Sequence, residues 1–144
     1  MTTYALVGAS EFNSEQFSAR NGAGAFDAVI AVDGGFTSLA DVGCAPDLAI
    51  GDFSLGYVPE GVEVLVFPPE KDASDMELAL GEAVARGADA VEVYGALGGR
   101  LDHTLANLQL LASFAEHGLT VTAMGERESV AFLVGPGELC LDAA

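Results

Sequence analysis

Short apolar runs separated by longer, partly apolar intervals are the feature of this chain that most restricts its fold. Residues 4–9 read Tyr-Ala-Leu-Val-Gly-Ala, and residues 28–32 read Ala-Val-Ile-Ala-Val and are closed by Asp-Gly-Gly. Short runs that are apolar at every position are typical of strands buried on both faces. Similar runs follow at 47–50, 62–67, 90–94 and 119–123. Because helical patterns occupy several of the intervals, the sequence predicts an α/β fold, a three-layer Rossmann-like domain around a mainly parallel sheet.

Two helices are placed by an apolar stripe and by the residues at their ends. Ser74 and Glu77 have the S-x-x-E spacing of a capping box, and apolar residues then recur at helical spacing until Gly87. A second helix is predicted over 102–116 and is followed by Gly118. Because this second helix is apolar over much of its circumference, we expect other structure to cover it.

The pattern changes after Gly125, where no helix separates the apolar runs. Residues 129–134 and 138–141 are strand-like, with Gly-Pro-Gly between them, which is typical of a hairpin. We therefore expect an α/β domain over 1–124 and, over 125–144, the beginning of a second, antiparallel β-domain.

The charge balance restricts the partners of the chain. Its 144 residues include 22 acidic and 5 basic side chains, a formal net charge of -17, so nucleic acid and anionic membrane surfaces would repel it. Small molecules, metal ions and other proteins are the partners that remain. The apolar runs are too short to span a membrane and no basic-then-apolar leader is recognised, which predicts a cytoplasmic protein. Cys44 and Cys140 have no metal-type neighbours and are expected to be buried free thiols.

Acidic residues follow several of the predicted strands at the point where each strand ends. In a parallel sheet these ends meet at one edge, where helix N-termini also lie. The carboxylates concerned are Asp33, Asp52, Asp72, Asp75 and Asp102. Such a concentration of negative charge is unfavourable unless a hard cation neutralises it, and Mg2+ is typically held by a few carboxylates together with substrate phosphates. Lys71, the one lysine in the sequence, and Arg100 fall at the same edge and suit phosphate oxygens.

Several of these residues also have a purely structural interpretation. Asp102 is either the N-cap of its helix or a ligand. The glycine-rich turn 95–99 is either a tight connection or a phosphate cradle, and Arg100 beside it favours the cradle. His103 has the position of a hydrogen-bonded helix-start residue as well as that of a catalytic group, and Asp47 is expected to stabilise a turn.

Four motifs occur together in this chain. They are Val32-Asp33-Gly34-Gly35, Ile50-Gly51-Asp52-Phe53, the stretch from Lys71 to Leu80, and the stretch from Gly95 to His103 with Asn107. In order, spacing and residue type they resemble the bacterial thiamine pyrophosphokinases (thiamine diphosphokinases) over residues 4–124. One such motif is weak, whereas four in order are specific. The resemblance implies an enzyme, a Mg2+-dependent kinase that transfers a pyrophosphoryl group from ATP to thiamine and gives thiamine diphosphate and AMP.

The resemblance also implies roles for single residues. Asp33, Asp52 and Asp75 resemble the metal carboxylates, and Arg100 with Asp102 resembles a phosphate-side and substrate-side pair. The implied catalytic set is Asp75, Asp102 and Arg100, with Asp75 the first candidate and Asp102 the second for the base that removes the thiamine hydroxyl proton. The implied nucleotide-binding set is Asp33, Gly34, Gly35, Lys71, Asp72, Gly98, Gly99, Arg100, His103 and Asn107. The family also implies a homodimer.

Two departures from the family pattern support a rival interpretation. Family members continue from Gly-Asp-Phe with Asp-Ser, whereas Ser54 follows Phe53 here, so one expected metal carboxylate is absent. The family's C-terminal β-domain, which supplies part of the thiamine pocket, only begins over 125–144. These departures favour a catalytically weakened nucleotide- or thiamine-binding module, whereas the retained residues Arg100, Asp102, Asp72 and Asp75 favour the enzyme. A Mg2+-dependent phosphohydrolase is a third interpretation, less favoured because no separate water-activating group is recognised.

Overall fold

The structure, a computed structural model, describes residues 1–51, 61–67 and 74–135. In chain order its elements are β1 (Thr3–Val7), α1 (Ser14–Gly22), β2 (Ala28–Val32), α2 (Gly35–Asp41), β3 (Leu48–Gly51), β4 (Glu63–Val66), α3 (Asp75–Ala85), β5 (Ala90–Tyr94), α4 (Leu101–Glu116), β6 (Thr120–Met124) and β7 (Ser129–Ala131). Seven strands form one sheet in the order β4-β3-β2-β1-β5-β6-β7. Strands β1 to β6 pair in parallel and β7 is antiparallel to β6. The mainly parallel α/β fold expected from the apolar runs is confirmed.

The order of the strands reverses beside β1. The chain builds outward from β1 through β2 and β3 to β4, and then returns to place β5 on the other side of β1. Tyr4 of β1 is accordingly in register with Ala28 on one side and Val91 on the other. In open α/β sheets ligands bind outside the carboxyl ends of the strands at such a reversal. The ends of β1 and β5 are therefore the place where a site is expected.

Side chains of the sheet alternate between two cores, as the period of two along a strand requires. Val91 and Val93 of β5 pack in the core beneath α3 and α4. Tyr94 packs on the opposite face with Phe17 of α1 and Leu39 of α2. Helices thus cover both faces of the sheet, and the three-layer architecture follows directly from this alternation.

Aspartates form hydrogen bonds between the amino ends of neighbouring strands. Asp27 donates its N–H to the carbonyl of Thr3 at 2.8 Å and accepts the Thr3 N–H on Oδ2 at 2.9 Å. Asp47 forms the same pair of bonds with Val29, both at 2.8 Å, and Asp89 does so with the start of β1. Asp47, expected to stabilise a turn, therefore fixes the register between neighbouring strands, at the edge of the sheet opposite the predicted site.

Helix α4 is less covered than its apolar sequence predicts. Its fully buried residues are Leu111 and Ala115 in the second half, whereas Leu105 is 52% exposed and Leu101 is 71% exposed. Sixteen helical residues span about 24 Å, whereas a five-residue strand spans about 17 Å. The helix is therefore longer than the sheet it packs on, and within the described residues its first half lies uncovered.

The segment after Gly125 continues the main sheet. Residues 129–131 form β7, which pairs with β6, whereas the expected strand extends to residue 134. The second expected strand, 138–141, lies outside the described residues, so the domain boundary between 124 and 125 stays a prediction. None of the helices described here has the length and apolar character needed to cross a membrane.

The thiol of Cys44 is half-buried rather than fully buried as expected. Burial, followed by the nearby Asp47 carboxylate, raises the pKa of the Cys44 thiol, so the unreactive protonated form is favoured. Cys140 lies outside the described residues.

Candidate active site

The ends of β1 and β5 approach each other through main chain alone. The N–H of Gly8 donates to the carbonyl of Tyr94 at 2.7 Å, and the N–H of Ser10 donates to the carbonyl of Gly95 at 2.8 Å. A Cβ at Gly8 would lie 2.8 Å from the carbonyl oxygen of Gly95, and Gly95 itself has a φ of 71°. Glycine is required at Gly8 because there is no space for a side chain, and at Gly95 because both the space and the backbone conformation exclude one. We call the space beyond the carboxyl ends of β1 and β5 the crevice, and this glycine contact is its floor.

The Asp33-Gly34-Gly35 turn lies next to this floor. Asp33 is exposed and has a φ of 52°, which is uncommon for a residue other than glycine, and its N–H donates to the carbonyl of Ile50 at 2.7 Å. A Cβ at Gly34 would lie 2.9 Å from the Cβ of Ala9, and one at Gly35 would overlap the end of β1. The two glycines therefore allow α2 to begin against β1, and the unusual backbone holds Asp33 at the edge of the sheet.

Helix α4 holds the glycine-rich loop 95–99 through two polar side chains. Asn107 Nδ2 donates to the carbonyl of Ala96 at 2.9 Å. The hydroxyl of Thr104 lies 3.1 Å from the carbonyl oxygen of Gly98 and 3.2 Å from that of Arg100. Asn107, predicted to bind nucleotide, therefore anchors the loop in this structure.

Arg100 and Asp102 pair with each other at the start of α4. Arg100 Nη2 lies 2.7 Å from Asp102 Oδ2, and Arg100 Nε lies 3.1 Å from Asp102 Oδ1. Asp102 Oδ1 also accepts the N–H of His103 at 3.0 Å. The N-cap position is held by Arg100 without a side-chain bond, so the structure does not place Asp102 at the N-cap. Both charged groups are exposed to solvent.

The first turn of α3 lies across the crevice from α4. Ser74 is its N-cap, and the Ser74 hydroxyl accepts the N–H of Glu77 at 3.1 Å, which confirms the predicted N-terminal capping. Asp75 follows in the first turn, and its Oδ1 is shielded from solvent.

A groove of about 410 Å³ lies between the first turns of α3 and α4. Its lining residues are Ser10, Ser74, Glu77, His103, Ala106, Asn107 and Leu110. Because the N–H groups of a first helical turn have no partner within the helix, two converging N-termini favour an anionic ligand. The groove thus combines the starts of two helices with polar side chains that include His103, Asn107 and the carboxylate of Glu77.

The structure brings some of the predicted site residues together. His103 and Asn107 line the groove, and Arg100 and Asp102 belong to the first turn that forms one wall. Asp33 follows β2, which is two strands from β5, a spacing of about 10 Å at the sheet edge. The predicted residues Asp52, Lys71 and Asp72 lie outside the described residues.

The predicted metal set of Asp33, Asp52 and Asp75 stays a prediction. Within residues 1–51, 61–67 and 74–135, no three His, Cys, Asp or Glu side chains are grouped closely enough to hold a metal ion. The described part of the set supplies the exposed carboxylate of Asp33 and the carboxylate of Asp75 at the same edge. Carboxylate oxygens are suitable donors for Mg2+, which commonly takes only one or two of them and completes its shell with phosphate and water.

A partly buried ion pair between Arg20 and Glu92 supports β5. Glu92 is 8% exposed and accepts Arg20 Nε on Oε1 at 3.1 Å, with a second bond from Arg20 Nη2 to Oε2. The Tyr94 hydroxyl donates to Glu92 Oε1 at 3.1 Å. Hydrogen bonding to Glu92 raises the pKa of the Arg20 guanidinium, and burial, followed by the Glu92 charge, raises the pKa of Tyr94. Tyr94, the last residue before the glycine-rich loop, is thereby held in place by its bond to Glu92.

Sequence reasoning missed Ser10 and Thr104 as site residues. Thr104 lies four residues after Arg100, the spacing at which a helical hydroxyl bonds the carbonyl one turn earlier. That spacing could have identified it. Ser10 carries no comparable local signal, because its place in the groove depends on where β1 ends relative to α3 and α4.

The fold and the groove define a class: an open, mainly parallel α/β domain with a polar groove at the reversal of strand order. The family model described as "Thiamin pyrophosphokinase, catalytic domain" matches residues 23–123. The chain therefore belongs to the thiamin pyrophosphokinase catalytic-domain family.

Individual relatives agree with this assignment. The thiamine pyrophosphokinase of Bacillus subtilis (strain 168) is 32% identical over 116 residues, covering 76% of this chain and 54% of the relative. The crystal structure of thiamin pyrophosphokinase from Geobacillus thermodenitrificans matches with a TM-score of 0.67 and 29% identity, covering 85% of this chain and 59% of that protein. A thiamin pyrophosphokinase family protein from Enterococcus faecalis matches with a TM-score of 0.71 and 26% identity, covering 91% and 64%. The chain spans about half the length of the curated relative it matches.

Proposed function

We propose that this chain catalyses, or is the catalytic domain of a protein that catalyses, transfer of a pyrophosphoryl group from ATP to thiamine. The products are thiamine diphosphate and AMP. The observation that carries the proposal is the Arg100–Asp102 pair at the first turn of α4, beside a groove at the starts of two helices, in a chain of this family. The whole protein's activity and substrates belong to the proposal, since the chain spans only part of its relatives.

The reaction requires positioning and charge neutralisation more than covalent chemistry from the protein. The hydroxyethyl oxygen of thiamine attacks the β-phosphorus of ATP, and the bond from that phosphorus to the oxygen of the α-phosphate breaks, so AMP leaves. The guanidinium of Arg100, held by Asp102, binds phosphate oxygens and offsets the charge that develops on them. Asp75 accepts the proton of the thiamine hydroxyl.

Asp33 and Asp75 are the described residues that would hold Mg2+, together with Asp52. When bound, Mg2+ supplies positive charge to the phosphate groups of ATP. The two converging helix N-termini add to the same effect from the protein side. Thiamine binding, a homodimer and a cytoplasmic location are further parts of the proposal, which the family assignment supports.

The decisive experiment measures AMP formed from ATP and Mg2+ with and without thiamine. We expect AMP to form only when thiamine is present, in a one-to-one ratio with thiamine diphosphate. Release of inorganic phosphate without thiamine would instead identify a phosphohydrolase. Nucleotide binding by calorimetry without any AMP would identify the binding module, and either result overturns the proposed activity.

A further inference from the structure

The carbonyl groups of the glycine-rich loop 95–99 are held from two sides. On the β1 side, the N–H of Ser10 donates to the carbonyl of Gly95 at 2.8 Å. On the α4 side, Asn107 donates to Ala96 and the Thr104 hydroxyl lies 3.1 Å from the carbonyl oxygen of Gly98. The loop is thereby fixed at three of its peptide groups although Gly98 and Gly99 both have positive φ.

Thr104 differs from Asn107 because it reaches two carbonyls at once. Its hydroxyl lies 3.1 Å from Gly98 O and 3.2 Å from Arg100 O, so its single hydrogen is shared between the loop and the N-cap of α4. Arg100 carries the guanidinium that pairs with Asp102. The Thr104 hydroxyl is therefore a direct link between the loop conformation and the residue that presents the positive charge.

Fixing a carbonyl also fixes the N–H on the far side of the same peptide group. A trans peptide is planar, with its C=O and N–H pointing in opposite directions. Because the carbonyl of Gly98 is directed at Thr104, the N–H of Gly99 is directed away from α4. The Thr104 hydroxyl thus sets the direction of a loop donor next to Arg100, whose guanidinium is held by Asp102, and donors arranged in this way suit phosphate oxygens.

We propose that Thr104 is a positioning residue for nucleotide binding: it fixes the Gly98–Arg100 segment in the conformation that receives the phosphates of a nucleoside triphosphate. This inference rests on the proposed function for the identity of the ligand. Thr104 does not touch the reacting atoms, and its effect is exerted through Gly98 and Arg100.

The test compares Thr104→Val, which keeps the shape of the side chain and removes the hydroxyl, with Thr104→Ser, which keeps the hydroxyl. The matched control is Thr120→Val, at an exposed position on β6 at the opposite edge of the sheet. Calorimetry measures binding of a non-hydrolysable ATP analogue with Mg2+, and steady-state kinetics measures KM for ATP and for thiamine. Thermal unfolding is recorded for each variant.

We expect Thr104→Val to raise the Kd of the analogue and the KM for ATP about tenfold, because it leaves the part-buried carbonyl of Gly98 without the Thr104 hydroxyl and frees the loop, whereas the carbonyl of Arg100 keeps the N–H of residue 104 at 3.1 Å. The KM for thiamine should stay within about twofold, and Thr104→Ser should restore ATP binding. A merely structural role would lower the active fraction, and therefore kcat, without moving the KM for ATP.

The inference is overturned if Thr104→Val binds the analogue as tightly as the unaltered chain, or if Thr104→Ser is equally impaired. If Thr104→Val does not fold, Thr104→Ala removes the hydroxyl without added bulk and is compared with serine in the same way. An unaltered chain that binds the analogue but forms no AMP contradicts the proposed activity and still allows this test. An unaltered chain that does not bind the analogue overturns the inference as well.

Discussion

Arg100 and Asp102 face each other at the first turn of α4, with two nitrogen–oxygen distances of 2.7 and 3.1 Å. Their side chains are 71% and 61% exposed, so the pair adds little to folding stability. Its value is geometric, because Asp102 restrains the guanidinium beside the groove. Function and stability should therefore separate when this pair is altered.

The substitution Arg100→Lys keeps the positive charge but loses the planar, forked arrangement of donors. We expect the KM for ATP to rise about tenfold or more, because lysine cannot bind Asp102 and a phosphate in the same geometry. The melting temperature should stay unchanged. Arg127→Lys, in the separate groove after β6, is the matched control and should leave both quantities as they are. Equal kinetics for the Arg100 variant and the unaltered chain would contradict this role.

Asp75→Asn should abolish transfer while preserving the fold, since asparagine has nearly the same shape, cannot accept the hydroxyl proton and lacks the negative charge that would hold Mg2+. A fall in kcat of about 100-fold or more is expected for the loss of a general base. Asp41→Asn at the far end of α2 is the control and should be fully active. Near-normal turnover in the Asp75 variant would contradict both roles proposed for Asp75, as base and as Mg2+ donor, and would leave Asp102 as the remaining candidate for the base.

Arg20→Ala should lower the free energy of unfolding, because it leaves the buried Glu92 carboxylate without its cation. We expect a loss of about 2 kcal/mol, less than for a fully buried pair because Arg20 is itself 44% exposed. Urea unfolding measures the change. Arg86→Ala, which removes an exposed pairing with Glu63 and Glu82, should cost much less, and equal losses in the two variants would contradict the argument.

Stability should fall as the pH rises above about 10, the ordinary pKa of tyrosine. Burial, and then the neighbouring Glu92 charge, raises the pKa of Tyr94 in the folded state. The folded protein therefore holds a proton that the unfolded chain releases, so the stabilisation is complete below pH 10 and is lost as the pH approaches the folded-state pKa. Unfolding free energies at pH 8, 10 and 11 measure the slope. Tyr94→Phe should reduce it, and an unchanged slope would show that other groups cause the loss.

Most strands of the fold could be predicted because a strand buried on both faces is apolar at most positions, as in β2 and β3. The sequence does not predict helices α1 and α2. The α1 sequence buries only Phe17, and α2 has seven residues, so neither provides a periodic apolar signal. The exposure of Leu105 was missed because apolar composition does not reveal that α4 is longer than the strands beneath it.

The location of the candidate site could be predicted because parallel strands deliver their carboxyl ends to one edge. The individual side-chain contacts within the site could not be predicted. Whether Asp102 caps its helix or pairs with Arg100 depends on a difference of one residue in the helix start. The placement of Asn107 on the carbonyl of Ala96 depends on how the loop folds back on α4.

The contact between Gly8 and Gly95 determines which parts of the molecule can adapt during evolution. Because the bottom of the crevice is built from peptide groups with no side chains, point substitutions there can only damage it. A change in the preferred acceptor substrate would have to arise in the helices and loops that line the groove, while the main-chain contact between Gly8 and Gly95 stays the same. Gly8 and Gly95 should therefore tolerate fewer substitutions than the residues that line the groove, and saturation mutagenesis of both sets would show this order directly.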